Sequence, residues 1–205
     1  MSSNGQRPAI VLWSDYVSPY AFVAKAWAYA LEDDYDIELV WRPYTLDIAS
    51  YMGSVAGRDP HHWRRVRYSY MDARRLANKQ GLILKGPQKI YCARPANAGL
   101  LYAQRHGVFR AYNDAAFERF WRRDLDPEDV AAVEALLIEV GASPGFPDFL
   151  MGEGGSEHDR LRNEAEASGV FGVPMFVFDN ELFWGGDRIG LLRERLDEKG
   201  VPRRG

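Results

Sequence analysis

Apolar positions along the chain change period three times. Residues 8–13 are a short, almost continuous apolar run (Pro8-Ala9-Ile10-Val11-Leu12-Trp13) that reads as a strand. From Phe22 to Leu31 the apolar positions Phe22, Ala26, Trp27, Ala30 and Leu31 take helical spacing. Between the two lies Ser14-Asp15-Tyr16-Val17-Ser18-Pro19-Tyr20-Ala21, with Ser18 suited to a helix N-cap and Pro19 to the first helical position. Residues 36–43 alternate polar and apolar before Pro43 and predict a second strand, giving a βαβ unit with a right-handed crossover.

From about Thr45 to Ser168 no segment reads as a strand. One long helix is predicted over 58–80, with Trp63, Val66, Tyr70, Ala73 and Ala77 as its apolar stripe, and others over 94–105 and 108–121. Asp126-Pro127-Glu128 has the cap, proline and acid that open a helix running to about Val140. Short helices follow over 147–151 and 157–167. The strand pattern then returns as Met175–Phe178 and Glu181–Trp184 around Asp179-Asn180, a hairpin whose two-residue turn suits positive φ. A last helix spans Asp187 to Lys199, apolar at Ile189, Leu192 and Leu196. The order β-α-β, helices, β-β-α is that of an α/β thioredoxin-like fold with a large all-helical insertion. Its parts are residues 8–45 with 168–200 for the thioredoxin-like domain and 46–167 for the inserted helical domain.

Composition narrows the function classes. With 205 residues the chain can bury roughly 70% of its unfolded surface without disulfides or metals. A net charge of −3 gives no global attraction to nucleic acid or an anionic membrane, and no apolar run reaches transmembrane length. Cys92 is the single cysteine, which excludes an intrachain disulfide and a Cys-x-x-Cys redox site. The polar start, Met1 to Arg7, lacks a signal-peptide apolar core, so a cytoplasmic setting is expected. Twenty-seven aromatic residues (six Trp, eleven Tyr, ten Phe) suffice to line an apolar pocket.

Two stretches carry candidate chemistry. A helix N-terminus bearing the Ser18 hydroxyl can hold an anion, whereas as a nucleophile Ser18 needs a base, and His61, His62, His106 and His158 are scattered or in polar surroundings. Gly169-Val170-Phe171-Gly172-Val173-Pro174 puts a proline directly before a strand. In a thioredoxin fold this is the position of a cis-proline loop facing the first helix, with the Val173 backbone offered to an extended ligand.

Together these motifs resemble one family. Asp15-Tyr16-Val17-Ser18-Pro19-Tyr20, Tyr68 with Asp72 and Arg75, Gly169–Pro174, and Leu182-Phe183-Trp184-Gly185-Gly186-Asp187-Arg188 are similar to motifs of the 2-hydroxychromene-2-carboxylate isomerase and kappa-class glutathione transferase family, over residues 9–196. That family is DsbA-like with the redox cysteines lost; here Ser18-Pro19-Tyr20-Ala21 takes their place. The resemblance implies glutathione as cofactor and Ser18 as the hydrogen-bond donor to its thiolate. It implies Val173 and Pro174 at the cysteinyl backbone, and Asp187, flanked by Gly186 and Arg188, at the γ-glutamyl ammonium. Arg65 falls where the family usually has a Lys at the glycyl end of glutathione or an anionic substrate. Arg58 replaces an Asn and Ala21 a Ser, which leaves room for a different substrate. The expectation is a glutathione-dependent isomerase of a small aromatic or unsaturated carboxylate, acting by thiolate addition and elimination, as a homodimer. A kappa-class transferase and a non-catalytic peptide binder that captures strands along Val173 are the alternatives. Tyr68, Asp72 and Arg75 read as a solvated or ion-paired face before they read as substrate contacts, and Cys92 reads as inert.

Overall fold

In a computed structural model, residues 7–52 and 54–204 are described; the polar start of the chain, apart from Arg7, lies outside them. Strands β1 (Ala9–Ser14) and β2 (Glu38–Pro43) run parallel, joined through helix α1 (Pro19–Asp34). Strands β3 (Met175–Phe178) and β4 (Glu181–Trp184) complete a sheet of order β2-β1-β3-β4, with β3 antiparallel to both neighbours. The register places Leu12 opposite Phe176 and Trp13 opposite Met175, so the ends of β1 and β3 that carry the two candidate loops lie side by side. Asp179 and Asn180 turn the β3–β4 hairpin with φ of 51° and 63°, as the hairpin chemistry requires.

Between β2 and β3 the chain is helical: α2 (Ile48–Met52), α3 (Pro60–Lys79), α4 (Arg94–Arg105), α5 (Phe109–Arg122), α6 (Val130–Glu139), α7 (Phe146–Met151) and α8 (Glu153–Ala167). A single 3-10 turn, Gly186–Arg188, leads into α9 (Ile189–Glu198). The architecture is the thioredoxin-like fold with many added helices that the element order implied. Most helix bounds fall within two residues of the sequence reading, and three differences are larger. Helix α2 is unannounced, because its five residues are too short for a periodic pattern. Helix α8 starts four residues earlier than read, at Glu153, although Gly154 and Gly155 are poor helix formers. Helix α6 starts at Val130: Asp126 closes a turn by accepting from the Glu128 N–H at 2.9 Å, and Asp129 caps the helix through Ala131 and Ala132. Glu128 is engaged elsewhere, by Lys89 and by the Cys92 N–H.

One continuous apolar core joins the sheet, α1 and the helices. Its centre is aromatic, with Phe22 stacked against Phe117 and Trp121, and Tyr16 meeting Phe117 edge-on at 4.7 Å. That packing seats the Tyr16 end of the β1–α1 loop and so fixes where α1 begins. No helix among the described residues is long and apolar enough to cross a membrane.

Candidate active site

Ser18 is the N-cap of α1: its Oγ accepts from the Ala21 N–H at 3.2 Å, with Pro19 in the first turn. Its backbone N–H donates to the Asp15 carbonyl at 3.1 Å. The hydroxyl donates to the Val173 carbonyl at 3.4 Å, a long bond that spans 155 positions of sequence. Val173–Pro174 is a cis peptide, so the loop expected to face the first helix does face it. The Pro174 carbonyl accepts from the Gly185 N–H at 2.9 Å, which ties the β4–α9 turn to the same place.

These segments line a cavity of about 1100 Å³. All seven predicted positions, Ser18, Arg65, Val173, Pro174, Gly186, Asp187 and Arg188, lie on its wall. The far side is aromatic and apolar, with Trp63, Tyr70, Tyr91 and Phe120 joined by Val66 and Ile90. Phe171 and Trp184 meet edge-on at 4.9 Å on the rim, and both are about half exposed. The turn at Gly185 and Gly186 is sterically tight. Gly185 has φ of +98°, and a Cβ on Gly186 would sit 2.8 Å from the Trp27 ring. Asp187 is exposed and pairs with Arg188 at 3.0 Å.

The long helix divides its polar stripe. Arg65 and Asp72 line the cavity, whereas Tyr68 and Arg75 are exposed to solvent and are not among its lining residues. Asp72 accepts from the Tyr20 hydroxyl at 3.1 Å; burial and then the neighbouring Asp72 charge push that phenol up to about 12, so it stays a proton donor. Arg58 also lines the cavity, with its guanidinium 5.1 Å from the Trp63 ring. Burial pushes the Tyr70 phenol up to about 12 against the opposing charge of Arg58. Cys92 is exposed and outside the lining.

Sequence reasoning assigned no role to four buried polar residues that are linked by hydrogen bonds to one another and to the lining residues Val17 and Leu46: Asp15, Thr45, Asn97 and His158. His158, read as scattered, is in fact buried between Thr45 and Asp159. Only Asp15 carried a signal, an acid beside Tyr16 and Val17 and three residues before Ser18.

Known proteins resemble the chain in sequence and fold. A family model described as a DSBA-like thioredoxin domain matches residues 9–197. A 2-hydroxychromene-2-carboxylate isomerase of Sphingobium xenophagum is 26% identical over 190 residues, 91% of this chain and 97% of that one. A protein of the same name from Pseudomonas sp. (strain C18) is 28% identical over 194 residues, covering 92% and 89%. The solved structure of a 2-hydroxychromene-2-carboxylate isomerase superposes with a TM-score of 0.74 at 25% identity, over 93% of this chain and 95% of its own.

Proposed function

The chain belongs to the DSBA-like thioredoxin domain family, and within it we propose a glutathione-dependent isomerase of the 2-hydroxychromene-2-carboxylate isomerase type, acting on a small aromatic or unsaturated carboxylate. The relatives named 2-hydroxychromene-2-carboxylate isomerase support the reaction class. The observation that carries the cofactor is the convergence of Ser18, Val173 and Asp187, from three separate stretches, on one cavity.

The residues present suit glutathione. Ser18 offers a hydroxyl proton at the positive end of a 16-residue helix. Its present bond to the Val173 carbonyl is 3.4 Å long, near the outer limit for a hydrogen bond, so little is lost when that proton turns to sulfur. The Val173 backbone is available for an extended cysteinyl unit. Asp187 is an exposed carboxylate for the γ-glutamyl ammonium, its link to Arg188 being a surface pair of low energy. Arg65 and Arg58 place positive charge on the wall for the glycyl carboxylate or a substrate carboxylate. When bound, glutathione supplies a nucleophilic thiolate able to add to a conjugated carbon and leave again.

The chain's own work is then electrostatic and positional. Ser18 and the α1 N-terminus stabilise negative charge on sulfur; the aromatic wall orients a flat substrate and displaces water; Tyr20, held as a phenol, remains a donor at the cavity wall. A hydrogen bond to a charged acceptor contributes roughly 1.5–3 kcal/mol, one to two units of thiol pKa. The test is isomerisation of 2-hydroxychromene-2-carboxylate with and without glutathione, in the wild type and Ser18→Ala. Dependence on glutathione with a large loss in Ser18→Ala supports the reading. Turnover without glutathione contradicts it, release of a conjugate points to transferase chemistry, and failure to bind glutathione by calorimetry favours a peptide-binding role.

A further inference from the structure

The four buried polar side chains form one connected chain. The Asp15 carboxylate accepts from the backbone N–H of Val17 at 3.2 Å, from that of Leu46 at 2.8 Å and from Asn97 Nδ2 at 3.0 Å. Asn97 Nδ2 also donates to Thr45 Oγ1 at 2.8 Å, and Asn97 Oδ1 accepts from the Tyr16 N–H at 3.4 Å. Thr45 Oγ1 lies 2.8 Å from His158 Nε2, and His158 Nδ1 lies 3.0 Å from Asp159. At the surface Arg94 holds Asp159 at 2.9 Å.

Satisfying every partner assigns the hydrogens. Asn97 Nδ2 commits its two hydrogens to Asp15 and Thr45, which leaves His158 Nε2 as the acceptor within reach of the Thr45 hydroxyl hydrogen. His158 is therefore neutral, with its proton on Nδ1 facing Asp159. The Asp15 side chain meets only donors, which suits an ionised carboxylate and leaves the proton of a neutral acid without an acceptor. Its partners come from the β1–α1 loop, the β2–α2 loop and α4, while His158 belongs to α8. The Asp15 backbone carbonyl also accepts from the Ser18 N–H.

We propose that Asp15 and Asn97 are positioning residues for Ser18: they fix the loop that presents its hydroxyl, through bonds that require Asp15 ionised, and the Thr45–His158 link ties that loop to the solvent-facing Asp159–Arg94 pair. The proposal rests on the thiolate-stabilising reading only for what Ser18 then does.

Burial pushes the Asp15 carboxyl up to about 6 against the lowering effect of its hydrogen bonds, and burial holds His158 below its ordinary value. The other titratable or charged groups facing the chain are the Tyr16 phenol at its inner end and Asp159, Arg94 and Arg162 at its outer end. Tyr16 is raised further by burial and stays neutral, and Asp159 is lowered by Arg94 and stays charged. Acidification therefore acts on the three bonds that Asp15 accepts through Asp15 itself; when His158 is protonated the Thr45 hydroxyl turns to accept from it and those three bonds stay in place.

The test is proton–nitrogen NMR of the full chain without added ligand, from about pH 8 to about pH 5, a range that brackets the ordinary histidine value. The amides of Val17, Ser18 and Leu46 should shift together with a common midpoint near 6, and that midpoint should vanish in Asp15→Asn. In the same variant kcat/KM with glutathione should fall about tenfold to a hundredfold, the cost of buried donors losing a charged acceptor, and the acid limb of its pH profile should flatten. A role in folding alone would lower activity and leave the limb in place. Amides that do not move in the wild type, or that still titrate in Asp15→Asn, overturn the proposal; the wild-type titration decides it even if the variant does not fold. Titrating amides without glutathione-dependent turnover leave this clamp standing and reject the cofactor, whereas turnover without the titration does the reverse.

Discussion

At the scale of single residues, the Ser18 hydroxyl does two things that do not compete. As acceptor it caps α1 through the Ala21 N–H, and as donor its proton is directed at the Val173 carbonyl. Ser18→Ala should therefore lose about 1 kcal/mol of stability in a urea melt, the ordinary value of an N-cap. Its turnover at neutral pH should fall about tenfold to a hundredfold, the larger effect because a charged acceptor is involved. Asp187 sits at the opposite extreme of exposure, so Asp187→Asn should raise the KM for glutathione about five- to tenfold with kcat unchanged, measured by varying glutathione at saturating substrate. An equal loss in kcat would place Asp187 in the chemistry and contradict a pure anchoring role. The places of Ser18 at the α1 cap and of Asp187 at the turn into α9 were legible in the sequence because cap, proline and motif are local signals. Asp15 as a clamp was not, since its partners Asn97 and Leu46 lie 82 and 31 positions away and burial is a tertiary property.

Elements were legible where one local rule governed them. The β3–β4 hairpin follows from Asp179-Asn180, and α4 came out at its observed bounds because Arg94-Pro95 opens it and Gly107 follows it. Helix α6 was misplaced because Asp126-Pro127-Glu128 and Asp129 both satisfy a start signal, and the choice between them is made by Lys89 and Cys92 from another loop. Gly99 shows a packing need that helix propensity opposes. An added Cβ would lie 2.3 Å from the hydroxyl of buried Tyr112, which donates to the Ala96 carbonyl at 2.8 Å. Gly99→Ala should therefore destabilise by roughly 1–3 kcal/mol in chemical denaturation, despite the about 1 kcal/mol that Ala gains over Gly in a helix. A rise in stability would mean that α4 and α5 do not pack this closely.

For the molecule as a whole, the buried acid and the buried imidazole give opposite pH dependences. Asp15 is raised in the folded state, so the folded chain binds its proton more readily than the unfolded chain, and this group's contribution to stability falls as pH rises from about 4 to about 6. His158 is lowered, so its contribution is present above about pH 6.5 and is lost as pH falls through its folded value. Relative to Asp15→Asn, the wild type should gain up to about 3 kcal/mol between pH 7 and pH 4, measured by urea unfolding at each pH. A gap that stays constant would show that Asp15 titrates normally. Holding Asp15 ionised at neutral pH thus costs stability at a place where the fold presents its catalytic candidate, as expected of a site kept for function. The architecture, with Ser18 and Val173 brought together by neighbouring strands β1 and β3, was readable from element order; the contents of the cavity's far wall were not, because helical spacing does not say which aromatics converge.

The central claim is that Ser18 and the α1 N-terminus stabilise a glutathione thiolate in this cavity, and the most direct measurement is the pKa of the bound thiol. It is read from ultraviolet thiolate absorbance across a pH titration of glutathione with saturating protein, in the wild type and in Ser18→Ala. The account predicts a value at least about one unit below the ordinary thiol value near 8.5 in the wild type, returning most of the way in Ser18→Ala. A bound thiol that titrates as it does in water, or one lowered equally in both proteins, would contradict it.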